Sequence, residues 1–150
     1  MTIPADLLRP FRPRAARWVG YVLFVLCVLA VPALFAVMAA ANLGMSLPDR
    51  YGAVLIAAVL AWLCYRQARV RAVPSESGIT VQNFIRVRRL EWAQVVNVRF
   101  GPNNPWAQLD LSDGTTLAVM AVQAADGEYG RKEAGRLAAL VLLNEPREHG

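Results

Sequence analysis

From Trp18 to Ala41 the chain runs for roughly 24 residues without a charge. As a helix rising ~1.5 Å per residue, that run is ample for a hydrocarbon core about 30 Å thick. In lipid every backbone N–H and C=O must find its partner inside the segment, so an isolated span of this kind has to be helical. Pro32 removes one donor and crowds the preceding turn, which predicts a kink rather than a break. Trp18 and Tyr21 are the residue types that settle at the headgroup interface.

A second uncharged run, Tyr51 to Tyr65, has only about 15 residues, fewer than the ~17 usually needed. It reaches across only by recruiting Leu47 and Pro48 or by snorkelling Arg50 and Arg66. Asn42 to Pro48 between the runs, with Gly44 and Pro48, is long enough only for a tight turn. The pair therefore reads as an antiparallel transmembrane hairpin within 17–68, with spans at about 18–41 and 48–66. Ala53, Ala57 and Ala61 in the second span, and Ala36 and Ala40 in the first, are small residues at helical spacing that predict close approach of the two backbones.

Overall the chain is 56% hydrophobic, above the roughly 45–50% of soluble domains, and the excess lies almost wholly before Arg66. Two regions of one chain are thus written for two solvents. Arg9, Arg12, Arg14 and Arg17 precede the first run, and Arg66, Arg69 and Arg71 follow the second, whereas the turn has only Arg50 offset by Asp49. The positive-inside rule then places both termini in the cytoplasm, with the chain multi-pass in the plasma membrane. A cleavable signal peptide ending at Ala39–Ala41 is the rival reading. The apolar run is longer than a ~7–15-residue signal core, and a second run follows it.

Residues 1–16, with Pro4, Pro10 and Pro13 and little periodicity, read as a flexible arm, and 146–150 as a tail. Between them, 70–145 changes to the period-two alternation of half-buried strands. Ile79 and Val81 alternate with Thr80 and Gln82, and Ile85 and Val87 with Phe84, Arg86 and Arg88. Val96, Val98 and Phe100 alternate with Asn97 and Arg99, and Ala107, Leu109 and Leu111 with Gln108, Asp110 and Ser112. Asp113-Gly114 predicts a two-residue hairpin turn into Thr116–Val122. Asp126 is placed to cap a last helix, about Glu128 to Asn144, with Leu137, Leu140 and Val141 as its apolar stripe and Pro146 as its end.

Catalytic chemistry has little to stand on. Cys27 and Cys64 lie inside apolar runs without neighbouring His, Asp or Glu, and the one histidine, His149, is next to last. Asp113 is accounted for by its turn and Asp110 by solvent alternation, and no phosphate-cradling glycine loop is present. No enzyme activity, metal or cofactor is expected. Arg86, Arg88 and Arg99 fall on outward positions of strands expected to adjoin, with Arg89 nearby, a basic face for anionic lipid or an acidic partner. The plainer reading is a solvated face that discourages edge pairing. Trp92 and Trp106 suit the interior of a small domain, and Trp106 beside the Pro105 loop is alternatively a partner anchor. Phe84, Trp92, Phe100 and Trp106 do not interleave with the arginines as a base-stacking platform, so nucleic acid is not an expected partner.

The stretch GITVQNFIRVRRLEWAQVVNVRF, followed by PWAQLDLSDGTTLAVMAVQAADG, with its Glu91-Trp92 turn-in and Trp106 start, resembles the bacterial PH-like domain family of actinobacterial two-helix membrane proteins, including the low molecular weight protein antigen 6 group. The resemblance implies an α+β membrane protein, a transmembrane helical hairpin followed by a PH-like antiparallel bent barrel with a C-terminal helix. It supplies no catalytic residues and implies a membrane-tethered interaction role. In lipid-binding PH domains, basic residues surround the loop between the first two strands, but here Pro74–Gly78 contains Glu76 and no base, which argues against a headgroup site there. The resulting expectation is a membrane-anchored module that scaffolds or regulates a complex at the cytoplasmic face. An anionic-lipid sensor and an accessory subunit of a membrane enzyme are the alternatives. The expected partners are the bilayer, a membrane or cytoplasmic protein, and a second copy of the chain.

Overall fold

The computed structural model describes residues 3–144, so the expected tail at 146–150 and the Pro146 helix end lie outside the described residues. The chain divides into two compact units, one of Ala16–Arg69 and one joining the residues up to Ala15 with those from Val70.

The first unit is a pair of helices, α1 (Ala15–Ala40) and α2 (Leu47–Ala68), each long and apolar enough to cross a membrane. The second helix does begin at Leu47 and carries Pro48, Arg50 and Arg66 within it. Its 22 residues give it ~33 Å of length. Ser46 caps it by accepting the Asp49 N–H, Pro48 occupies a first-turn position where no N–H is needed, and Asp49 opposes the positive end of the helix dipole. α1 continues through Pro32. Most apolar side chains of both helices face outward, among them Trp18, Leu26, Val37, Leu55 and Ile56. The less exposed stripe of α2 is Ala53, Ala57, Ala61, Cys64 and Ala68, in keeping with the small-residue reading. In α1 the corresponding positions are Gly20, Phe24, Cys27, Val31, Phe35 and Met38, while Ala36 and Ala40 are exposed, contrary to expectation. Close approach depends instead on Gly20, where an added Cβ would lie 3.1 Å from the Cys64 carbonyl oxygen and from Ala68 Cβ.

The second unit holds two three-stranded antiparallel sheets. One is β1 (Arg71–Pro74), β2 (Gly78–Gln82) and β3 (Val87–Glu91), and the other β4 (Val95–Arg99), β5 (Trp106–Leu111) and β6 (Thr116–Gln123), each in sequence order. A short 3-10 turn, Trp92–Gln94, joins the sheets, and another, Ala124–Asp126, leads into α3 (Glu128–Leu143). The core is drawn from both sheets and from the α3 stripe of Ala134, Leu137, Leu140 and Val141. The helix sits close against the sheet at Gly130, where a Cβ would come within 2.0 Å of the Gln123 carbonyl oxygen.

β5 alternates as its sequence predicts, with Ala107, Leu109 and Leu111 buried. Four local readings change. In β3 the buried residue is Leu90, opposite Ile79, and not Val87. The chain turns at Asn83–Arg86, closed by the Asn83 N–H on the Arg86 carbonyl, so Ile85 belongs to the turn and the alternation restarts out of phase. In β4 a bulge between Val95 and Asn97 buries Val95 and turns Val96 out. The turn before β6 occupies Ser112–Thr115, wider than the two residues predicted. Asp126 does not cap α3, whose N-cap is Gly127 without a side-chain bond. Its carboxylate accepts the backbone N–H groups of Arg14 and Ala15 at 3.0 and 2.8 Å, partnering donors that begin α1 and have none within a helix.

The arm differs most from its expected flexibility. Phe11 is fully buried and exchanges both backbone hydrogen bonds with Ala72, adding a bridge to the edge of β1. The Arg136 guanidinium stacks on the Phe11 ring, 3.8 Å from its centroid, and donates to the carbonyls of Leu7 and Arg9. Proline content and missing periodicity suggest disorder, but a ring fully removed from water, the partly buried Ile3, Leu7 and Leu8 packed on the core, and the long-range backbone pair hold the segment.

Candidate functional site

The five expected surface residues do not form one face. Arg88 and Arg89 lie on β3 in the first sheet, Arg86 in the turn before it, and Arg99 on β4 in the second sheet.

Arg99 is engaged. Its Nε donates to both Asp110 carboxylate oxygens at 3.0 and 2.9 Å and its Nη2 to Oδ1 at 2.7 Å, a forked arrangement across neighbouring strands. These hydrogen bonds hold the Asp110 carboxyl below the ordinary aspartate range and raise the Arg99 guanidinium above its own. Its charge is thereby matched within the sheet. In sequence both residues appear only as outward positions, because their meeting depends on the β4–β5 register and its bulge.

The other three arginines collect around the β2–β3 hairpin. Arg89 stands opposite Thr80 on the outer face, whereas Arg88 stands opposite Val81, on the face that buries Ile79 and Leu90. From there it contributes to lowering the Asp113 carboxyl, which is held down mainly by hydrogen bonds from the Thr115 hydroxyl and N–H. Arg86 is exposed at the turn. Between them, Ile85 is 72% exposed and Val87 57% exposed, large apolar side chains that alternation alone assigns to the core. Asn83 anchors the base of the turn, donating from Nδ2 to the Ala118 carbonyl at 2.7 Å and accepting the Met120 N–H at 3.1 Å. The tip is thus a pre-set apolar and basic projection on a pinned base, the kind of surface that loses little entropy on docking. Its signal in the sequence is Phe84-Ile85-Arg86-Val87-Arg88-Arg89 itself, where arginines leave no long charge-free face.

Trp106 begins β5 half-buried, opposite Gln123 and next to a bulge. Trp92 is buried and its indole N–H donates to the Ser75 carbonyl at 2.9 Å, tying down the loop between β1 and β2. Among the described residues no group of three His, Cys, Asp or Glu side chains is placed to hold a metal ion.

Residues 68–139 match the model of a bacterial PH domain. An uncharacterized protein of Mycobacterium tuberculosis is 37% identical over 75 residues, covering 50% of this chain and 46% of the relative. Low molecular weight protein antigen 6 of the same organism is 35% identical over 57 residues, covering 38% of this chain and 50% of the relative. The chain spans about half the length of these curated relatives. No solved structure matches.

Proposed function

We propose, from the match of residues 68–139 to the model of a bacterial PH domain, that the chain is a membrane-anchored, non-catalytic interaction module. It presents the β2–β3 hairpin to an acidic protein partner at the cytoplasmic face of the membrane. Two helices of sufficient length and apolarity support the anchor, and the arginines bracketing them support the orientation. Only Arg69 and Val70 separate α2 from β1, so a module built this way stays close to the bilayer it is anchored in. The observation that carries the docking surface is the exposure of Ile85 and Val87 beside Arg86 and Arg89, an apolar contact with a cationic rim.

The same exposed isoleucine beside arginines favours a second reading, in which the tip rests on anionic lipid. Capture of partners by the intact protein in mild detergent, beside an Ile85→Ser/Arg86→Glu/Arg89→Glu variant, separates the two. A stoichiometric acidic partner lost in the variant is the expected result. Capture of no partner, with the hairpin protected from labelling only in nanodiscs containing anionic lipid, would establish the second reading. A partner retained at full yield by the variant would remove the hairpin from the proposal.

A further inference from the structure

A cleft of about 440 Å³ lies between the N-terminal arm and the first half of α3. It is lined by Arg9, Arg14, Tyr129, Lys132, Glu133 and Arg136, four cations against one carboxylate. That carboxylate is already committed, since Glu133 accepts from Arg136 Nη2. Arg136 forms a fixed wall: it is stacked on Phe11 and bonded to the Leu7 and Arg9 carbonyls.

The remaining cations are held open to solvent. The Arg14 guanidinium lies over the Tyr129 ring, 3.8 Å from its centroid, which fixes the plane of its donors. Arg9 is exposed, and Lys132 is 73% exposed with only an equally exposed Glu128 beside it at 3.1 Å. A surface pair one helical turn apart is weak and yields readily to a better acceptor. The positive charge left over once Glu133 and Glu128 are paired, that of Arg9 and Arg14, is gathered in a concavity, which concentrates the field there. Guanidinium forks and an ammonium suit the several oxygens of a phosphate better than the two of a carboxylate. The volume falls within the roughly 300–1,000 Å³ of small-ligand sites.

We infer that this cleft binds a phosphate group through Arg9, Arg14 and Lys132, against the wall formed by Arg136. Arg14 immediately precedes α1, one of the two helices apolar enough to cross a membrane, so a phospholipid headgroup is one source of that phosphate and a soluble phosphoester the other. The hairpin plays no part in this site, and loss of partner capture by hairpin variants leaves it untouched.

The test uses the intact protein in an uncharged detergent at constant ionic strength. It is titrated with inorganic phosphate and, separately, with dihexanoyl phosphatidylglycerol below its micelle concentration, while the arginine Nε–H resonances are followed by NMR. Saturable shifts of the Arg14 and Arg136 signals are expected, and Arg9→Gln/Lys132→Gln, both at exposed positions, weakens binding by about tenfold or more. A single Lys132→Glu variant weakens it further than Lys132→Gln. Tighter binding of the short-chain lipid identifies the headgroup as the source, and equal binding identifies a soluble phosphoester. Absence of saturable shifts with both probes, or equal affinity in the double variant, overturns the inference.

Discussion

The N-terminal arm and the tip of the β2–β3 hairpin are both short, arginine-bearing segments with large apolar side chains, yet they end in opposite states. Phe11 is fully buried and Ile85 is 72% exposed. The arm meets a free strand edge at Ala72 and a guanidinium, Arg136, that covers its ring and takes two of its carbonyls. The tip has its base pinned by Asn83 and its apolar residues turned to solvent. The difference teaches that the fate of such a segment is set by what waits for it elsewhere in the chain, and only weakly by its own composition.

The sharpest way to break this contrast is Phe11→Ala, which empties a fully buried site and should cost about 3–5 kcal/mol. Unfolding of the intact chain in detergent, followed by the fluorescence of buried Trp92, measures it. A loss below about 1 kcal/mol would mean that the arm is not part of the core. Arg136→Met comes next. It strands the Glu133 carboxylate, which is 13% exposed, together with two carbonyls, and should cost about 3 kcal/mol by the same measurement. Asp126→Ala removes the acceptor for the Arg14 and Ala15 N–H groups, and a loss of about 1 kcal/mol is expected, in the range of a helix cap.

Asp110 tests the surface pair through its pH dependence. Its carboxyl is held below the ordinary range in the folded chain, chiefly by Arg99, so the stability it contributes is present above the unfolded pKa and disappears as pH falls through the lowered folded value. Asp110→Asn should therefore lower stability slightly at neutral pH, converge with the parent as pH falls below about 4, and so flatten the acid side of the profile, and added salt should shrink the neutral-pH difference. At the tip, Ile85→Ser should move stability by no more than about 0.5 kcal/mol while abolishing partner capture. A large destabilisation there would make the tip a structural element after all.

Much of the architecture can be read directly. The long uncharged run does form a helix, and the second helix begins at Leu47, one of the two ways its short uncharged run is expected to be lengthened. The alternation of β5 and the stripe of α3 follow from local periodicity. What cannot be read is each feature set by a distant partner or by a slip in phase. Phe11 finds Ala72 far along the chain, and Asp126 finds Arg14 across 112 residues. Arg99 finds Asp110 only in a particular register. One turn at Asn83–Arg86 reverses which residues of the next strand face inward, turning Val87 from an expected core residue into part of the candidate surface. Of that surface, the arginines are visible in sequence but the apolar centre is not.

Hydroxyl-radical footprinting of the intact chain in mild detergent, read by mass spectrometry and normalised to the unfolded chain, tests most directly whether the arm is built into the fold while the tip is kept for a partner. Strong protection of Phe11, with Ile85 oxidised near its unfolded rate, is the predicted result. Equal labelling of the two, or protection of Ile85 with Phe11 open, would contradict it.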